Sequence, residues 1–167
     1  MDKIRANPLI GICCGRIIPQ GHGPVYHYQM FEYAVAHWLQ KASEHVLGCV
    51  LCSPGCFSLM RADALVRNTQ AQVDSAISVY KSRPTDALTT VQWNQGEDRW
   101  LCTLVMKRGW RIEYVAVSES LTNAPTGMKE FFNQRRRWTP STARWKRKIV
   151  VFDIFYKNIV FFSLEFH

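Results

Sequence analysis

Apolar positions along this chain come in short continuous runs and in longer stretches of helical spacing, and the two kinds alternate. "LIGICCGRII", within Arg5 to Ile18, is a short apolar run that fits a buried strand, and "PQGHGP" then breaks the chain with Gly and Pro. From Val25 to Leu47 the apolar residues Tyr28, Phe31, Val35, Trp38, Leu39, Ala42 and Val46 recur at helical spacing, and Gly48 is placed to end that helix. "CVLCS" predicts a second short strand, which "PG" turns toward "CFSLMR". Val66 to Val91 is polar and loop-rich, with a short helix around Ala76 to Tyr80. "NQGEDRWLCTLVMKRG" predicts a helix from near Gly96 to Gly109, its acids in the first turn and its bases in the last, as the helix dipole favours. "WRIEYVAV" alternates as a strand, "SESLTNAPTG" reads as a loop, and "MKEFFNQRRRW" as a further helix. Strands and helices interleave, so the expected class is α/β, a mixed sheet flanked by helices.

The 167 residues suffice for one hydrophobic core, and 47% hydrophobic content excludes a disordered chain. Net charge is +8, and Arg135, Arg136, Arg137, Arg144, Lys146, Arg147 and Lys148 crowd a stretch without Asp or Glu. Such a patch points to phosphate, nucleic acid or an anionic membrane surface. The opening "MDKIRANPLIGICCG" has no apolar run long enough for a signal peptide, so the six cysteines read as reduced thiols of a cytosol-facing domain. Cys49, Cys52 and Cys56 lack a second ligand pair at zinc-finger spacing, and they read as small core residues. Residues 149–167 are apolar but interrupted by Asp153, Lys157, Asn158 and Glu165. Wound as a helix, those four fall in an arc of about 140°, which suits a helix lying on a membrane surface better than one crossing it. The chain thus divides into 1–148, a folded part, and 149–167, an amphipathic segment.

Two clusters carry chemistry. In "GEDRW" the adjacent carboxylates Glu97 and Asp98 sit at a helix start; they serve either as dipole caps or as a general base aimed into a cleft. Adjacent helical residues point about 100° apart, so one would face the cleft while the other fixes the loop. In "FFNQRRRWTPST" Gln134, Arg137 and Trp138 share a helix face and offer an amide, a guanidinium and an indole together. Guanidinium groups fit phosphate oxygens in a bidentate fork, and an indole stacks on sugars or bases. A solvated basic helix end would waste the tryptophan on water.

"GEDRWLCTL" followed by "NQRRRW", together with "CGRI", "FEYAVAHWLQKASEHVLGCVLCSPGCFSL" and "FFNQRRRWTPST", resembles the processive family-two glycosyltransferases, and among them the animal chitin synthases. The resemblance covers nearly all of residues 8–142. It implies a partial GT-A-like glycosyltransferase domain that moves N-acetylglucosamine from UDP-N-acetylglucosamine to the 4-hydroxyl of a growing β-1,4 chitin chain. On the family pattern Asp98 is the general base, with Glu97 beside it. Gln134 and Trp138 contact the terminal sugar of the polymer, Arg137 stabilises the nucleotide diphosphate, and Ser53 and Gly55 line the acceptor side. The family's uridine-binding strands and its Asp-x-Asp type motif for Mg2+ or Mn2+ lie upstream of the first strand here. The chain therefore reads as a fragment, or as a catalytically dead truncated paralogue, carrying the acceptor-side part of the domain, inactive alone, a partner of the rest of the synthase polypeptide at the plasma membrane. A small nucleic-acid-binding protein would use Arg137 and Trp138 equally well, but it leaves the Glu97–Asp98 turn unexplained, and no nucleic-acid motif appears.

Overall fold

A computed structural model describes residues 2–66, 74–82, 84–87, 89–91 and 96–148, the last nine of these by backbone alone. The amphipathic segment expected at 149–167 lies outside the described residues. A short helix α1 (Asp2–Ala6) leads into β1 (Ile10–Gln20), the central strand of a three-stranded mixed sheet ordered β2-β1-β3. β1 runs antiparallel to β2 (Ser58–Met60) and parallel to β3 (Arg111–Asn123). Around the sheet lie α2 (Pro24–Val35), a π-helical turn (Ala36–Gln40) and α3 (Lys41–Val46). They are followed by α4 (Ala62–Val66), α5 (Ala76–Lys81), α6 (Glu97–Lys107) and α7 (Met128–Lys148). The class is α/β, as the interleaved pattern predicts.

Ile12, Cys14, Cys49, Val50, Cys102, Val105, Ile112 and Tyr114 form the heart of one core between the sheet and α6. Each fully buried aliphatic side chain of this kind contributes about 1.5–3 kcal/mol. Both predicted helix stops are glycines in the left-handed region, Gly48 at φ 66° and Gly109 at φ 84°. Each closes a double hydrogen-bonded cap. Gly48 N–H donates to His45 O (2.9 Å) and Cys49 N–H to Glu44 O (3.0 Å); Gly109 N–H donates to Met106 O (2.9 Å) and Trp110 N–H to Val105 O (3.4 Å).

Three expectations change. "CVLCS" is not a strand: Cys49 makes only an isolated parallel bridge to Ile112, and the chain then turns until β2. β3 runs on through "SESLTN", whose polarity predicts a loop, because Arg16 to Gln20 supply pairing partners from Glu119 to Asn123. Between Val115 and Glu119 the register slips, so residues 116–118 bulge out opposite the Gly15–Arg16 step. The helix from Val25 to Leu47 forms, but its apolar stripe faces outward: Tyr28, Phe31, Trp38, Leu39 and Val46 are exposed, whereas Gln29, His37 and Lys41 are buried. The π turn adds a residue to the coil and rotates α3 relative to α2, so no single 3.6-residue stripe describes the whole helix.

Candidate functional site

α6 begins at Gly96, whose backbone (φ −144°, ψ 40°) is not helical and which has no side chain to cap the free N–H groups. The first-turn acids answer the exposed positive end of the dipole. They do so in different directions. Glu97 is exposed, and Asp98 is half-buried. Together their charges help burial raise the phenol of Tyr80, on α5, above its ordinary value. Asp98 is held at both oxygens: Oδ1 accepts the Arg99 N–H (2.8 Å) and Oδ2 accepts the Cys52 S–H (3.4 Å). The loop carrying Cys52 is the "CSPGCFS" stretch, so the fold brings this loop against the "GEDRW" helix end. Ser53 is buried, with its N–H donated to Cys102 Sγ (3.2 Å) and its hydroxyl shared with Ser58 Oγ (2.6 Å). Gly55 is exposed, and a Cβ there would meet nothing within 4 Å, so packing leaves that position open.

The second cluster is built where α7 meets α2. Gln29 Nε2 donates to Gln134 Oε1 (2.9 Å), Glu32 pairs with Arg135, and Tyr28 meets Phe131 edge-on at 5.6 Å. The Arg135 guanidinium lies over the rings of both Phe131 (4.9 Å) and Trp138 (4.8 Å). The three arginines therefore divide their work. Arg135 cements the helix pair, while Arg136 and Arg137 are exposed. Gln134 and Trp138 stay half-buried, one turn apart along the same helix. The loop links the two clusters electrostatically: Cys52 touches Asp98, and four residues on, Cys56 and Arg135 both act on the Tyr33 phenol, which burial raises.

Sequence reasoning missed the buried polar side chains His37 and Lys41, and the π turn carries the first of them inward. His37 Nε2 accepts the Ile17 N–H (3.2 Å), and the ring lies beside Tyr114 with centroids 5.6 Å apart. Lys41 Nζ reaches Cys14 Sγ (3.9 Å) and the Tyr114 ring (5.9 Å), and makes no carboxylate ion pair among the described residues. Its charge is felt at Cys14 and Cys52, whose thiols burial raises while Lys41 pulls them down. Nothing in the local pattern announces a π turn, so the sequence carried no signal for this inward turn.

Burial, helped by the charges of Lys41 and Arg16, lowers the His37 pKa from 6.5 to about 4. Between those values the unfolded chain takes up a proton that the folded chain refuses. Stability is therefore expected to fall as pH drops from 6.5 toward 4, with His45, also lowered chiefly by burial, acting in the same direction. Urea midpoints at about pH 7 and about pH 5 should differ less in His37→Gln than in the parent chain. An unchanged difference would show that His37 does not carry this dependence.

Among the described residues no three His, Cys, Asp or Glu side chains gather where they could hold a metal ion. These residues do not fit a divalent-metal site. Nor is any described helix long and apolar enough to cross a membrane.

Residues 2–166 match the family profile of chitin synthase. The chain belongs to the chitin synthase family. It is 56% identical over 142 residues to a chitin synthase of Meloidogyne artiellia, covering 85% of this chain and 7% of that protein. Against chitin synthase chs-1 of Caenorhabditis elegans the identity is 57% over 142 residues, 85% of this chain and 10% of the relative. A fungal relative, chitin synthase 6 of Mycosarcoma maydis, is 33% identical over 148 residues, 86% of this chain and 12% of its own length. The chain thus spans about a tenth of these chitin synthases, and the higher identity to the nematode proteins agrees with the resemblance to the animal type.

Proposed function

We propose that this chain is the acceptor-side part of a chitin synthase catalytic domain, which transfers N-acetylglucosamine from UDP-N-acetylglucosamine to the 4-hydroxyl of a growing β-1,4 chain. The observation that carries the reading is Asp98: a half-buried carboxylate at a helix start, fixed at both oxygens and facing a loop that leaves Gly55 open. The acceptor hydroxyl gives its proton to Asp98 as its oxygen attacks the anomeric carbon. The bond to UDP breaks on the opposite face, which inverts the configuration. UDP departs with negative charge, and a cation near it lowers that barrier. Arg137, exposed and free of the Arg135–Glu32 pair, is the candidate fork for the diphosphate; Lys41 adds positive potential beneath the loop. Gln134 and Trp138 are the candidate contacts to the terminal sugar, and Glu97 and Ser53 hold the turn and the loop. A Mg2+ or Mn2+ of the complete synthase would be held by residues outside this segment, and the assembled enzyme acts at the plasma membrane with this domain on the cytosolic side. The nucleic-acid reading gains nothing: Arg135, the first of the basic run, is spent on Glu32 and on covering Trp138.

The test uses a full-length chitin synthase carrying this segment in place of its own. Arg137→Lys is expected to weaken inhibition by UDP, because a point charge cannot replace a bidentate fork. Trp138→Ala is expected to slow chain extension while leaving UDP inhibition near normal. If neither variant changes either quantity, this face of α7 is a basic surface and the assignment fails.

A further inference from the structure

Cys52 is one of six thiols that residue type alone marks as core filler, yet it is only half-buried and its hydrogen bond goes to Asp98. The loop docks on α6 at two points one helical turn apart. Cys52 Sγ donates to Asp98 Oδ2 (3.4 Å), and the Ser53 N–H donates to Cys102 Sγ (3.2 Å). Asp98 and Cys102 are four residues apart and so share a helix face. Cys102 is 1% exposed, which makes it a fixed anchor for the second contact. With Arg99 N–H on Oδ1 (2.8 Å), the carboxylate has one donor on each oxygen, one from its own helix and one from the loop.

We infer that Cys52 is a positioning residue for the proton-accepting carboxylate, its thiol fixing the rotation of Asp98 against the acceptor loop. This rests on the reading of Asp98 as the base. Two properties suit a thiol to the task. Burial above all, then the Asp98 charge, pushes the Cys52 pKa up to about 12 against the pull of Arg99 and Lys41, so the group stays a donor and does not compete as a base. A thiol is also a weak donor. Strong hydrogen bonds to a carboxylate favour its charged form and make it a poorer base. A weak donor orients the group at less cost to its basicity.

The experiment again uses the full-length synthase carrying this segment, with kcat and KM for UDP-N-acetylglucosamine measured in Cys52→Ala, Cys52→Ser and, separately, Asp98→Asn. Cys52→Ala is expected to lower kcat about 10- to 100-fold, the scale of a small misplacement of a reacting group, with KM and UDP inhibition near normal. Cys52→Ser restores a donor and is expected to recover most of that loss. Where Cys52→Ala does not accumulate as folded protein, Cys52→Thr and Cys52→Val give the same comparison, since the two share a shape and differ in the hydroxyl. Normal kcat in the donor-less variants, or an equal loss with and without a donor, overturns the inference and leaves the base reading intact if Asp98→Asn is inactive. Normal turnover in Asp98→Asn overturns the base reading itself, whatever Cys52 does.

Discussion

Asp98→Asn, in a full-length synthase carrying this segment, is expected to bind UDP-N-acetylglucosamine normally and to lose polymer synthesis. The amide has nearly the shape of the carboxylate, and its oxygen can still accept one of the hydrogen bonds that Arg99 N–H and Cys52 S–H now give the two oxygens. What it lacks is the capacity to take the acceptor proton. Loss of a positioned base costs about 10²- to 10⁴-fold in rate. Glu97 cannot substitute, because it is exposed and lies about 100° around the helix from Asp98. Glu97→Gln is therefore expected to lose far less. The measurement is incorporation of labelled sugar into chitin beside equilibrium binding of the UDP-sugar. Near-normal turnover in Asp98→Asn would refute the assignment, as would an equal collapse of sugar-nucleotide binding, which would mark Asp98 as structural.

Gly15→Ala is expected to destabilise the fold by about 1–3 kcal/mol, the usual cost of forcing extra atoms into a packed site. A Cβ at Gly15 would lie 2.6 Å from the Ser118 carbonyl oxygen and collide with the Phe57 ring. The ring can swing aside. The carbonyl cannot, because it belongs to the bulge that lets β3 skip three residues while β1 advances one. Phe57 lies four residues from Ser53 in the loop that docks on α6, so the same substitution is expected to disturb Asp98 and lower activity. Gly55→Ala is the control, since a Cβ there meets nothing within 4 Å. A drop in urea midpoint for Gly15→Ala and none for Gly55→Ala is the expected pair of results. Equal midpoints in the two variants would mean that the bulge relaxes freely.

Legibility in the sequence followed how local the cause was. The α6 helix, its acidic start and its glycine stop all read correctly, because dipole, periodicity and left-handed cap are properties of neighbouring residues. The polar half of β3 did not. "SESLTN" has no apolar face to announce a strand, and what holds it extended is the backbone of Arg16 to Gln20, about a hundred residues earlier in the chain. The division of the arginine run was equally out of reach, since Glu32, the partner that claims Arg135, lies on another helix.

The sequence by itself determined the class of fold, which residue spacing carries, and the family, which its motifs carry by resemblance. Tertiary structure alone decided which side of each cluster faces inward. The helix from Pro24 to Val46 shows why. Its buried residues include Gln29, His37 and Lys41, and each finds a partner from elsewhere: Gln134, the Ile17 N–H and the Cys14 thiol. A polar side chain is tolerated inside only when such a partner exists. Periodicity records which residues are apolar, and it holds no record of partners. The same reason hid Cys52, whose position at the Asp98 carboxylate exists only once the loop has folded onto α6.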